Sequence, residues 1–136
     1  MKRKTLVLAL ILTTLLSCNK DNTDENVDNI IGKWSWIQRF DNGVKQNLDD
    51  CYKNNNIEFK SNETYINTRY DLDQTCEQLT PITGTWENLG NGNYRLTYDN
   101  GLDSQTTKFS FQNDTFSFED TDGNTTIKFV YQKVAN

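Results

Sequence analysis

In a chain of 136 residues without a single histidine, the material for catalytic chemistry is its carboxylates. The missing imidazole removes the usual general base near neutral pH, the common zinc ligand and the middle member of a nucleophilic triad. Downstream of residue 30, Glu58, Glu63, Glu77, Glu87 and Glu119 are the material for a paired-carboxylate site of the glycosidase kind. Glu58, Glu87 and Glu119 alternate with apolar or aromatic neighbours and so belong on a solvated face, while Glu63 falls in a turn. Asp120-Thr121-Asp122-Gly123-Asn124 opens like a calcium loop, yet it lacks the later bidentate Glu and stands between strand-like segments. A hairpin turn accounts for it. No catalytic site, metal or cofactor is expected.

The first of the three cysteines has the most specific surroundings. Lys2, Arg3 and Lys4 precede an apolar run from Leu6 to Leu16, broken only by Thr13 and Thr14. That run is too short to span a bilayer, which takes roughly 20 helical residues, but it has the charge and length of a secretory signal with small Ser17 at its end. Leu15-Leu16-Ser17-Cys18 resembles a bacterial lipobox. The resemblance implies diacylglycerol on the Cys18 sulfur, cleavage before Cys18, and a further acyl chain on the new amine. Residues 1–17 are thus expected to be a cleaved signal peptide and 18–29 a lipidated flexible tether, with almost nothing apolar to bury. Residues 30–136 form the folded domain. Two or three acyl chains hold a protein at a membrane almost permanently, so an outer-membrane lipid anchor is expected. Cys18-Asn19-Lys20-Asp21 partly resembles the signal that sends some Bacteroidota lipoproteins to the cell surface, and reads equally well as a solvated linker. Loss of residues 1–17 removes three basic residues and no acidic one, leaving eleven against nineteen and a net charge of −8. Such a surface disfavours nucleic acid and anionic headgroups, so membrane contact is expected through the lipid alone.

Cys51 and Cys76 remain, an even count in an exported, oxidising setting, and are expected to form one disulfide. Free thiols are the alternative. A soft-metal site is less suited, with no His and no third Cys to complete it. From Ile30 onward apolar and polar residues alternate with period two, marking strands near 32–40, 56–60, 64–70, 83–89, 92–98, 105–112, 114–120 and 124–133. Asp41-Asn42-Gly43, Ser61-Asn62-Glu63, Gly90-Asn91-Gly92, Asp99-Asn100-Gly101, Asn113-Asp114 and Asp122-Gly123 supply the turns. Residues 44–55 and 71–82 are longer loops with one cysteine each, so the disulfide would pin them together at one end. Trp34, Trp36, Ile57, Phe59, Tyr94, Leu96, Tyr98, Phe109, Phe111, Phe116, Phe118, Ile127, Phe129 and Tyr131 share one face. In 64–70, Tyr65 and Ile66 compete for the interior. The pattern predicts an all-β fold, an eight-stranded antiparallel up-and-down β-barrel, with a two-sheet sandwich as the alternative.

Gly32-Lys33-Trp34 opens the first strand as Gly-x-Trp, and Gly84-Thr85-Trp86 repeats the motif. With the cysteine pair between them, residues 30–134 resemble the lipocalin-like domain of small Bacteroidota lipoproteins. The resemblance implies a barrel whose first Trp, matched by Trp34, closes one end beneath a basic residue of the last strand, here Lys128 or Lys133. Gly32, Trp34, Gly84 and Trp86 are then structural, and a small hydrophobic or amphipathic molecule is the expected partner, held near Trp36, Phe59, Phe111 and Phe118. The alternative is a barrel filled by its own aromatic side chains, which would serve as a protein- or glycan-interaction module.

Overall fold

The protein is described by a computed structural model covering residues 27–71 and 75–135; the expected signal peptide, Cys18 and the expected tether up to residue 26 lie outside the described residues. Ten strands follow in order: β1 (Gly32–Asp41), β2 (Val44–Lys45), β3 (Asn56–Phe59), β4 (Thr64–Thr68), β5 (Ile82–Gly90), β6 (Asn93–Tyr98), β7 (Asp103–Lys108), β8 (Ser110–Gln112), β9 (Thr115–Asp122) and β10 (Thr125–Lys133). The only helical pieces among the described residues are two three-residue 3₁₀ turns, Tyr52–Asn54 and Asp99–Gly101. All pairing is antiparallel, in the order β7-β6-β5-β4-β3-β1-β10-β9-β8, with β2 a short flap on β1.

The two ends of this order are one stretch of chain. β7 pairs with β6, β8 pairs with β9, and Phe109 between them sends its N–H to the Gly92 carbonyl at 2.8 Å. Residues 103–112 therefore serve as a single stave that joins the sheet to itself. The expected eight staves are all present. The count is ten because that stave is broken at Phe109 and because Val44–Lys45 adds a hairpin after the Asn42-Gly43 turn. Closure is incomplete: β9 pairs with β8 only through Thr115–Ser117, and Phe118–Asp122 has no ladder to β7. The barrel is closed at one end and splayed along this seam toward the other.

Turn chemistry explains the reversals. Asn42, Gly43, Glu63, Gly90, Asn91, Gly92, Asn100, Gly101, Asn113 and Gly123 all have positive φ and all lie in the expected turns, where short polar side chains or glycine tolerate the left-handed region. In β1 a bulge between Trp36 and Gln38 turns Ile37 outward. Tyr65 takes the interior with 3% of its surface exposed, which puts Ile66 outside.

The closed end is filled by the strand starts. Trp34 is 2% exposed and Ile30 fully buried; the Trp34 indole N–H donates to the Ile30 carbonyl at 2.7 Å. Phe116 packs edge-on to Trp34 at 4.9 Å, and the Lys133 ammonium lies 5.2 Å from the indole centroid, so Lys133, not Lys128, is the basic residue on this ring. Gly32 accommodates that arrangement, since a Cβ there would sit 2.9 Å from the Lys133 Cε. The Trp86 indole N–H donates to the Lys60 carbonyl at 3.1 Å and ties β5 to the β3–β4 turn. Two residues earlier, Gly84 lets β5 and β6 meet closely; a Cβ there would lie 2.0 Å from the Thr97 carbonyl oxygen. The barrel also reaches back into the expected tether. Asp28 accepts hydrogen bonds from the Tyr94 hydroxyl at 2.7 Å and from Asn88, beneath the closed end.

Candidate functional site

Because the strands alternate in direction, the ends of β4, β6 and β9 and the starts of β5, β7 and β10 meet at the open end. There a cavity of about 530 Å³ enters the barrel, within the size range of small-molecule sites. Phe109 and Phe116 line its depth, and Phe118, Phe129 and Tyr131 form one wall. Ile57, Tyr65, Ile82, Leu96 and Tyr98 form the other. Nearer the rim the inward positions become polar: Asn67 and Arg69 follow Tyr65 on β4 and just beyond it, Asp120 follows Phe118 on β9, and Gln105 precedes Thr107 on β7. The cavity is an apolar cup with a polar lip.

Burial pushes the Tyr131 phenol well above its ordinary range, and Tyr65 is raised for the same reason. Both stay neutral at physiological pH. Tyr94, at the closed end, is raised by burial first and then by its bond to Asp28. Among the described residues no glutamate lies on the cavity wall; Glu63, Glu77, Glu87 and Glu119 are exposed and Glu58 is half-buried between Lys33 and Ile66 on the flanking strands. Asp120 is the wall's one carboxylate among the described residues, and its side chain accepts the Thr121 N–H at 2.8 Å. Residues 120–124 form the β9–β10 hairpin, with Asp122 paired to Thr125. Among the described residues no three Cys, Asp or Glu side chains converge to hold a metal.

The long loops rim the same open end. Cys51 and Cys76 are bonded, with Cα atoms 5.6 Å apart, and join the loop before β3 to the loop after β4. Asn55 adds a second clip: its buried side chain donates to the Tyr52 carbonyl and accepts the Tyr70 N–H, each at 3.0 Å.

Of the residues expected to hold a ligand, the wall takes Phe118 and leaves out Trp36, Phe59 and Phe111. Trp36 is 7% exposed and stands behind the wall, against Phe129 at 5.4 Å and Tyr52 at 5.1 Å. Phe59 is 1% exposed and packs between Tyr65, Trp86 and Phe109. Phe111 points to the closed end, 6.2 Å from Trp34, and borders a separate small crevice with Asp28 and Tyr94. Phe59 and Phe111 face inward but lie toward the closed end, since alternation gives the face of a residue and not its height along the barrel, whereas Trp36 is screened from the cup by Phe129 and by its register partner Tyr131. The polar wall residues Asn67, Arg69, Gln105, Thr107 and Asp120 went unexpected, although each continues the inward register of an aromatic two or four residues away.

Eight antiparallel staves, a Trp plug under a last-strand Lys and an open apolar cup make a lipocalin-like architecture. Residues 30–118 match the family of lipocalin-like domains. The chain belongs to that family. A comparison with curated proteins found no match. The match to this lipocalin-like domain begins at Ile30, the buried residue whose carbonyl holds Trp34, and ends at Phe118 on the cavity wall.

Proposed function

We propose that this protein is a lipid-anchored binder of a small hydrophobic or amphipathic molecule, taken up in the cavity at the barrel mouth. One observation carries the reading: inward aromatic side chains fill the closed end but stop short of the mouth, leaving about 530 Å³ lined mainly by Phe, Tyr, Ile and Leu. Binding without catalysis fits a wall whose only ionisable groups among the described residues, besides tyrosines, are Arg69 and Asp120. Every described strand and core contact lies between Val27 and Ala135, so residues 20–136 carry the whole barrel. Titrating that chain with Nile red, a neutral apolar dye, should give saturable one-site binding with a rise in dye emission. No binding, or unsaturable binding, would show that the cup does not serve as a site.

The anchoring half of the proposal rests on the Cys18 lipobox, and the Bacteroidota-type lipoprotein assignment rests on the same segment. The described chain enters the barrel at its closed end, where Asp28 meets Tyr94. Cys18→Ala is expected to abolish acylation, leaving an uncleaved precursor or releasing the protein from the outer-membrane fraction. Unchanged size and membrane retention in that variant would refute the anchor.

A further inference from the structure

Resting on the cavity reading above, we propose that the ligand is an anionic amphiphile whose carboxylate or similar head is held by Arg69 and Asn67 while its chain lies in the cup. The arginines of the described chain divide clearly. Arg39 pairs with Asp41 at 2.6 Å and Arg95 with Glu87 at 2.9 Å. The Arg69 side chain has neither hydrogen bond nor ion pair among the described residues, and it is the one cation on the cavity wall. Asn67 lies two residues earlier on β4, on the same inward face, and its amide likewise carries no partner among the described residues. A guanidinium fork and an amide donor thus stand one above the other, Asn67 level with its cross-strand partners Ile57 and Ile82, and both beyond Tyr65 toward the rim. Their donors match the two oxygens of a carboxylate, which a guanidinium can hold bidentately.

Placement relative to the opposite charge gives the head a side. Around the ring the staves run β1, β3, β4, β5, β6, β7 with β8, β9 and β10, so β4 and β9 stand across the barrel from each other. Asp120 is therefore on the far lip, with one oxygen already engaged by the Thr121 N–H. An anionic head is drawn to the β4 side and repelled from the β9 side, and its chain descends toward Phe109 and Phe116. With eleven basic against nineteen acidic residues in 20–136, a net charge of −8, general attraction does not favour an anion; the preference must come from this local pair, and exposure at the rim makes it sensitive to salt.

The test is displacement of Nile red from residues 20–136 by three ligands of equal chain length, dodecanoate, 1-dodecanol and dodecyltrimethylammonium, all below their aggregation limits. Dodecanoate should bind about tenfold more tightly than dodecanol, the effect of one charge-assisted contact at a partly solvated site, and the cationic ligand should be weakest. Arg69→Gln should erase the preference for dodecanoate over dodecanol; Arg69→Lys should keep part of it. Equal binding of dodecanoate and dodecanol by the unmodified protein overturns the head-group assignment and leaves the cavity reading intact. Equal loss of both ligands in Arg69→Gln also overturns it, since Arg69 would then only shape the wall. If Nile red binds at the cup and none of the three ligands displaces it, the amphiphile class is wrong; if nothing binds at all, the cavity reading fails with it.

Discussion

Trp34→Ala is expected to cost about 3–5 kcal/mol, the usual range for removing a large buried ring, out of total domain stabilities of about 5–15 kcal/mol. The indole is 2% exposed, bonded to Ile30, in contact with Phe116 and covered by Lys133. Truncation therefore removes a packed ring, leaves the Ile30 carbonyl without its donor and opens the closed end to water. Chemical denaturation should show a large fall in midpoint, or a chain unfolded before denaturant is added, whether or not an apolar ligand is present. A variant that keeps its midpoint while losing dye binding would instead make Trp34 a ligand contact, although the cavity floor at Phe109 and Phe116 now separates the two.

Breaking the Cys51–Cys76 bond is the next largest change. It joins residues 25 apart in sequence, and closing a loop of that length is worth roughly 3–4 kcal/mol in the chain-entropy account. The double variant Cys51→Ser/Cys76→Ser should lose about that much stability, and adding reductant should lower the unmodified protein to the same level while leaving the variant unmoved. The bond also holds the rim, since it fastens the loop before β3 to the loop after β4 beside the cavity. Dye affinity should fall along with stability. A variant with an unchanged denaturation midpoint would mean that Asn55, bonded to both Tyr52 and Tyr70, holds the loops without help.

The barrel was readable because alternation and turn residues agree from Ile30 to Tyr131. Trp34, Phe59, Phe116 and their neighbours face inward as the period-two pattern requires, and Asn42, Asn91, Asn100 and Asn113 adopt the positive φ that their turns demand. The break at Phe109 was not readable, because residues 105–112 keep one alternation while changing partner from β6 to β9, and pairing partners leave no mark on a single strand. The bulge after Trp36 was hidden for a similar reason. Height along the barrel was the costly omission. It misplaced Phe59 and Phe111, although a signal existed: inward positions change from aromatic to polar along Tyr65, Asn67 and Arg69, and again from Phe118 to Asp120. A barrel end whose inward residues turn polar is the end that meets water. The contact of Asp28 with Tyr94, sixty-six residues away, left no mark in the sequence, where Asp28 is one more polar residue ahead of the first strand.

The central claim, that the mouth cavity is a ligand site, is tested most directly by methyl NMR during titration of residues 20–136 with an apolar ligand. Ile57, Ile82 and Leu96 line the cavity, whereas Ile37, Val44, Leu89 and Leu102 are exposed outside it. Saturable shifts confined to the first three, with the outer four unmoved, are the predicted result. Shifts at the outer methyls alone, or none anywhere at saturating ligand, would contradict it.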